Sequence, residues 1–139
     1  MREYALRLPF ALLFICNLWS HYPDSAQRAP SPTPPPACRM DKISFTQDIG
    51  CFNDGSFEFC LPADDTDALT AAQRIAPNIV CMRAGGRARC DLDTEILCLV
   101  STDGMCQELQ QPMTDSGWQT VCELAALPFV RQIVPTWYE

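Results

Sequence analysis

The chain has 139 residues, with 12 prolines, 9 cysteines and a formal charge of −7 from ten basic and seventeen acidic side chains. At roughly 100–200 residues per domain this is one domain plus its ends. The acidic balance argues against nucleic-acid binding, which relies on Lys and Arg neutralising phosphates. No apolar run reaches the roughly 20 residues needed to span a bilayer as a helix. The cysteine density points to an oxidising compartment.

The N-terminus carries Arg2 and Arg7, then an apolar stretch from Leu8 to Trp19 broken by Pro9 and Asn17. A positive start followed by an apolar run of about 7–15 residues is the form of a secretory signal, so residues 1–20 are expected to be a signal peptide. Cleavage after Ser20 suffers from the bulky Leu18 at −3, and cleavage as late as Ala26 from Asp24 at −3. Either cut removes Cys16. Lipidation of Cys16 is disfavoured because Ile15, rather than a small residue, precedes it.

Residues 21–37 then form a proline-rich linker, centred on Ala29-Pro-Ser-Pro-Thr-Pro-Pro-Pro-Ala37. Proline fixes φ and donates no backbone hydrogen bond, so this piece is expected as an extended spacer. Ser31 and Thr33 offer hydroxyls for O-glycosylation. None of Asn17, Asn53 and Asn78 begins an N-glycosylation site.

The unit from Cys38 to Glu139 holds seven basic and fifteen acidic residues, a formal charge of −8. Its cysteines are Cys38, Cys51, Cys60, Cys81, Cys90, Cys98, Cys106 and Cys122, an even set. No pair has the two-to-four-residue separation of zinc ribbons, so a disulfide framework is expected. Eight cysteines allow on the order of a hundred pairings, and spacing does not select among them.

One internal similarity suggests two local bridges. Cys51 to Cys60 and Cys81 to Cys90 have equal length, and each places Gly (Gly55, Gly85) four residues after its first cysteine. A two-residue hairpin loop at Gly55-Ser56 or Gly85-Gly86 sets the cysteines opposite each other, about 4.5 Å apart at Cα. Such a hairpin puts Phe52, Phe57 and Phe59 on one face and Asn53 and Glu58 on the other. An Asp54-Gly55 turn is the competing register and puts the cysteines on a diagonal. Cys98 to Cys106 is one residue shorter and does not continue the repeat.

Between these segments, Asp65 to Ala76 reads as a helix with acids at its start and Pro77 at its end. A second helix is expected over Ser116 to Leu127, where Trp118, Val121, Cys122 and Ala125 recur at helical spacing. Phe129 to Val134, between Pro128 and Pro135, reads as a short edge strand. The expected fold is a small α+β disulfide-rich domain of short β-hairpins and two short helices.

Candidate chemistry is sparse. The only histidine is His21, ahead of the folded unit, so Ser-His-Asp and Cys-His catalysis lack their base. Asp91, Asp93 and Glu95 alternate and form a weak calcium candidate, but lack the EF-hand glycine and spacing. The plainer reading is a solvated turn or a helix start, and Asp64, Asp65 and Asp67 are plainer still as helix caps. A carboxylate pair can hydrolyse glycosides without histidine, yet no such pair is identifiable. Arg83, Arg87 and Arg89 form the one basic cluster. On a disulfide-restrained loop they can recognise carboxylates or sulfates, or enter a trypsin-like pocket as an inhibitor. The aromatic Trp137-Tyr138 is either packed on the edge strand or an exposed contact.

The expectation is therefore a secreted or periplasmic, non-catalytic binding domain without a cofactor. Its partner would be an extracellular or periplasmic protein or glycan. A protease inhibitor and a small carboxylate-based hydrolase are the alternatives.

Overall fold

A computed structural model describes residues 37–53, 55–108 and 111–137. The expected signal peptide, Cys16, His21 and nearly all of the linker lie outside the described residues, as do Asp54 and Tyr138.

Short 3-10 turns at Met40–Lys42 and Gln47–Ile49 lead into β1 (Ser56–Pro62), α1 (Thr66–Ile75), β2 (Val80–Met82), β3 (Glu95–Ser101), α2 (Asp115–Ala126) and β4 (Ile133–Pro135). The strands form one antiparallel sheet in the order β2-β3-β1-β4. The small α+β disulfide-rich class read from the sequence is the class observed.

The helices begin where the sequence offers caps. The Asp65 carboxylate accepts from the N–H groups of Asp67 (3.0 Å) and Ala68 (2.9 Å), satisfying two donors that the first helical turn leaves open. Thr114 caps α2 by accepting from the Gly117 N–H at 3.1 Å. Pro77 and Pro128 follow close behind the two ends, where proline cannot continue a helix.

Alternation along β1 divides the molecule. Phe57, Phe59 and Leu61 project to one face, where Ala72, Val100, Val121, Leu124, Val130 and Ile133 complete the main core. Phe45 joins them, its ring 6.3 Å from Phe57 and 6.0 Å from Trp118. The second face of the sheet carries Glu58, Cys60, Leu97 and Leu99. A smaller apolar cluster there joins Cys60 and Leu97 to Ala88 and Cys90 from the β2–β3 connection.

Four disulfides close this arrangement: Cys38–Cys122, Cys51–Cys106, Cys60–Cys90 and Cys81–Cys98. The local pairings 51–60 and 81–90 do not form, and neither segment is a hairpin. Gly55 adopts φ +86°, but it opens β1 instead of turning back. The Asn53 side chain holds the preceding bend, accepting from the Gly55 N–H and donating to the Gly50 carbonyl. β1 therefore finds its partners in the distant β3 and β4, whose apolar side chains build a face no two-stranded hairpin can bury. Phe52 is 41% exposed and does not join Phe57 and Phe59.

The edge strand is shorter than expected, starting four residues later and ending one later, at Ile133–Pro135. Pro135 is tolerated there because the outer side of an edge needs no N–H donor. Its outer side meets the N-terminal segment, where the Ser44 N–H donates to the Ile133 carbonyl at 3.0 Å.

Each bridge restricts the unfolded chain and contributes about 2–4 kcal/mol. Proteolytic mapping of the oxidised chain is expected to recover cross-linked peptides joining 38 to 122, 51 to 106, 60 to 90 and 81 to 98. A peptide joining 51 to 60 would contradict this topology.

Candidate functional site

The three arginines of the basic cluster lie on the connection from β2 to β3, and this connection is anchored at both ends. Cys81 is bonded to Cys98 of β3, and Cys90 to Cys60 of β1. Both attachments are to the two central strands.

The loop between them rests on the second face of the sheet. Ala88 is buried, and its N–H donates to the Glu58 carboxylate at 2.7 Å. The Gln132 side-chain amide donates to the Ala88 carbonyl at 2.6 Å. Within the loop the Cys90 N–H donates to the Gly85 carbonyl at 2.7 Å. Glu58 is only 3% exposed, so its carboxylate is withdrawn from water, and the charge-assisted bond offsets part of that cost.

Gly86 explains how closely the loop approaches. It has φ +56°, and a Cβ there would lie 2.6 Å from Leu97 Cδ1 and 2.8 Å from Glu58 Oε1. Only glycine meets both demands. Arg89 also sits in the left-handed region, at φ 54°, a conformation that disfavours most side chains and here directs an exposed arginine from a fixed backbone. Arg83, Arg87 and Arg89 are all exposed, while Ala88 and Cys90 between and beside them are buried.

The acidic candidates have a different environment. Asp91 to Glu95 is a turn leading into β3, not a helix start. The Glu95 N–H donates to the Asp91 carbonyl, and the Asp93 N–H donates to the Asp91 side chain at 3.0 Å. Glu95 accepts from Arg131 through both oxygens, at 3.0 and 2.7 Å, and from the Asp91 N–H at 2.8 Å. Hydrogen bonding from Arg131 holds the Glu95 carboxyl below the usual carboxylate range, and Glu95 raises Arg131 in turn. Among the described residues, the metal-type ligand atoms gathered within 4.8 Å of one another are those of Cys60, Cys90 and Glu95, not the Asp91–Asp93–Glu95 set. The two sulfurs of that group are joined to each other, which removes them as ligands.

Two surface depressions, of about 290 and 410 Å³, lie away from the arginine loop. Each is lined by a single carboxylate, Asp103 in one and Asp115 in the other, so neither holds the pair that glycoside hydrolysis needs. Trp137 is 43% exposed at the end of the edge strand. No helix among the described residues is long and apolar enough to cross a membrane.

Glu58, Gly86 and Gln132 are the positioning residues that sequence reading did not single out. The Phe-Glu-Phe alternation did place Glu58 opposite the aromatic face. Nothing in sequence proximity showed that residues 84–90 would fold back to cover it. No family model, curated protein or solved structure matches this chain.

Gly86→Ala is expected to destabilise the fold by about 2–4 kcal/mol, combining overpacking with a left-handed backbone. Gly55→Ala, at φ +86° with open space around its Cβ position, should cost about 1–2 kcal/mol. Denaturant titration of both variants checks the ordering. The Glu95–Arg131 pair makes a second prediction. Because the folded-state acidity of Glu95 is strengthened, its contribution is present above the ordinary glutamate range of about 4.3 and is lost as pH falls through the lower folded value. Arg131→Gln should therefore be less stable than the native chain at pH 7, and the gap should close in melts taken from about pH 5 to pH 3.

Proposed function

We propose that this chain is an exported, non-catalytic binding domain whose recognition element is the arginine-bearing loop of residues 83–89. The carrying observation is the anchoring of that loop. Its flanking cysteines are bonded to β3 and β1, and its backbone is fastened to Glu58 and Gln132 beneath it. A loop ordered before binding avoids much of the entropy cost of being ordered on binding. Arginine presents a planar fork that pairs with carboxylates or sulfates, so the partner class is an anionic extracellular or periplasmic protein or glycan. The disulfide framework supports an oxidising compartment.

A protease-inhibitor role uses the same loop, with an exposed arginine entering an acidic specificity pocket. The two readings separate experimentally. The oxidised chain, immobilised and challenged with the extracellular or periplasmic fraction of its source, is expected to retain a partner that the Arg83→Ala/Arg89→Ala variant loses. Both arginines are exposed, so circular dichroism of the variant should match the native chain. Equal retention by both proteins would overturn the loop assignment. Inhibition of a trypsin-like protease at micromolar concentration, abolished by Arg83→Ala or Arg87→Ala, would identify the partner as a protease.

A further inference from the structure

The sheet has two edges, and they are treated differently. β4 is covered on its outer side by the Ile43–Ser44 segment. β2 has β3 on one side and, among the described residues, no strand on the other.

The hydrogen-bonding phase of β2 follows from the covered edge. The Ile133 carbonyl is directed outward to Ser44, so Ile133 and Phe59 form a non-hydrogen-bonded pair. Phe59 therefore exchanges its bonds with Cys98, and Cys98 cannot also exchange them with Cys81. The Cys81–Cys98 Cα separation of 4.1 Å agrees, since non-hydrogen-bonded pairs are the close ones. The Cys81 N–H and carbonyl thus point away from β3, at the open edge. The disulfide to Cys98 holds them in place.

Beside this pair of backbone groups stand two exposed apolar side chains. Val80 is 59% and Met82 47% exposed, and their register partners Leu99 and Leu97 continue the same face inward. Of the usual protections β2 has only its three-residue length, with no proline, no lysine and no inward charge. Its brevity limits it to one outward backbone pair. Side-chain and charge contacts must therefore supply most of the affinity of anything that docks there.

Charge selects the occupant. Arg83 follows Met82 directly and is exposed, whereas Arg89 lies between Ala88 and Cys90, which are fastened over β1. Three of the seven basic residues of the folded unit fall within residues 83–89, in a unit of charge −8. A second copy would bring its own arginine loop and its own net negative charge to the edge. We infer that β2 is a docking edge for an extended peptide segment that alternates apolar residues with a carboxylate-bearing end. The segment pairs with Cys81 through its backbone, packs apolar side chains on Val80 and Met82, and sets its carboxylates against Arg83. This rests on the binding role of the arginine loop and specifies its partner chemistry.

The test uses the oxidised full chain with ¹⁵N labelling and two synthetic probes. One is acetyl-Asp-Asp-Val-Thr-Val-Thr-amide, and the other has Lys-Lys in place of Asp-Asp. The acidic probe is expected to bind about tenfold more tightly than the basic one, with the difference shrinking at high salt. It should also slow amide exchange at Cys81, whose N–H faces away from β3. Met82→Ser should weaken the acidic probe by removing the apolar contact, and Arg83→Glu should reverse the preference. Equal binding of both probes, a Cys81 amide already protected without peptide, or protection that rises with protein concentration alone would overturn the docking edge. If the immobilised chain still retains an arginine-dependent partner in that event, only the edge inference fails. If retention is independent of the arginines, the binding-loop reading fails with it.

Discussion

β1 is buried along nearly its whole length on both faces, and most of the structure follows from the need to cover it. Phe57, Phe59 and Leu61 on one side require a layer large enough to bury aromatic rings, which α1, α2 and the N-terminal segment with Phe45 provide. Glu58 and Cys60 on the other side require something different. A carboxylate cannot be covered by another helix face without a hydrogen-bond donor aimed at it. The β2–β3 connection meets that requirement with a backbone N–H at Ala88 and a disulfide at Cys90.

That second cover links stability to the candidate site. The loop that shields Glu58 is also the loop that carries Arg83, Arg87 and Arg89, and from Arg87 to Cys90 exposed cations alternate with the buried Ala88 and Cys90. Ala88 is buried against the sheet, and Gly86, though exposed, has no room for a Cβ on the side facing Leu97 and Glu58. The same closeness that demands glycine at 86 gives the loop a defined shape in the absence of a partner. The two disulfides at its ends oppose local opening of the segment. The pair Glu95–Arg131 adds a surface tie between the start of β3 and the approach to β4.

Much of the local structure was legible in the sequence. Asp65 and Pro77 bracket α1 because capping and chain termination are short-range effects of single side chains. The apolar spacing of Trp118, Val121, Cys122 and Ala125 marks α2 for the same local reason. The strand at Ile133–Pro135 was placed four residues early at its start and one at its end, since its register is set by pairing with Phe57 to Phe59, about 75 residues away in the chain. The equal spacing of 51–60 and 81–90 misled because a glycine with positive φ permits a hairpin without requiring one. At Gly55 the alternative, a bend held by Asn53, leads into a strand with better partners elsewhere.

The sequence by itself determined the inventory: an even set of eight cysteines in an acidic unit, two capped helices, a Phe-Glu-Phe alternation and a single basic cluster. These are properties of residue types and their immediate neighbours, and they act over one or two turns of chain. Only the tertiary structure decided which cysteines meet, that Glu58 lies under the arginine loop, and that one sheet edge is closed while the other is open. Those outcomes depend on which distant surfaces bury each other. Many pairings satisfy the local rules equally, and the one adopted is the one that covers both faces of β1.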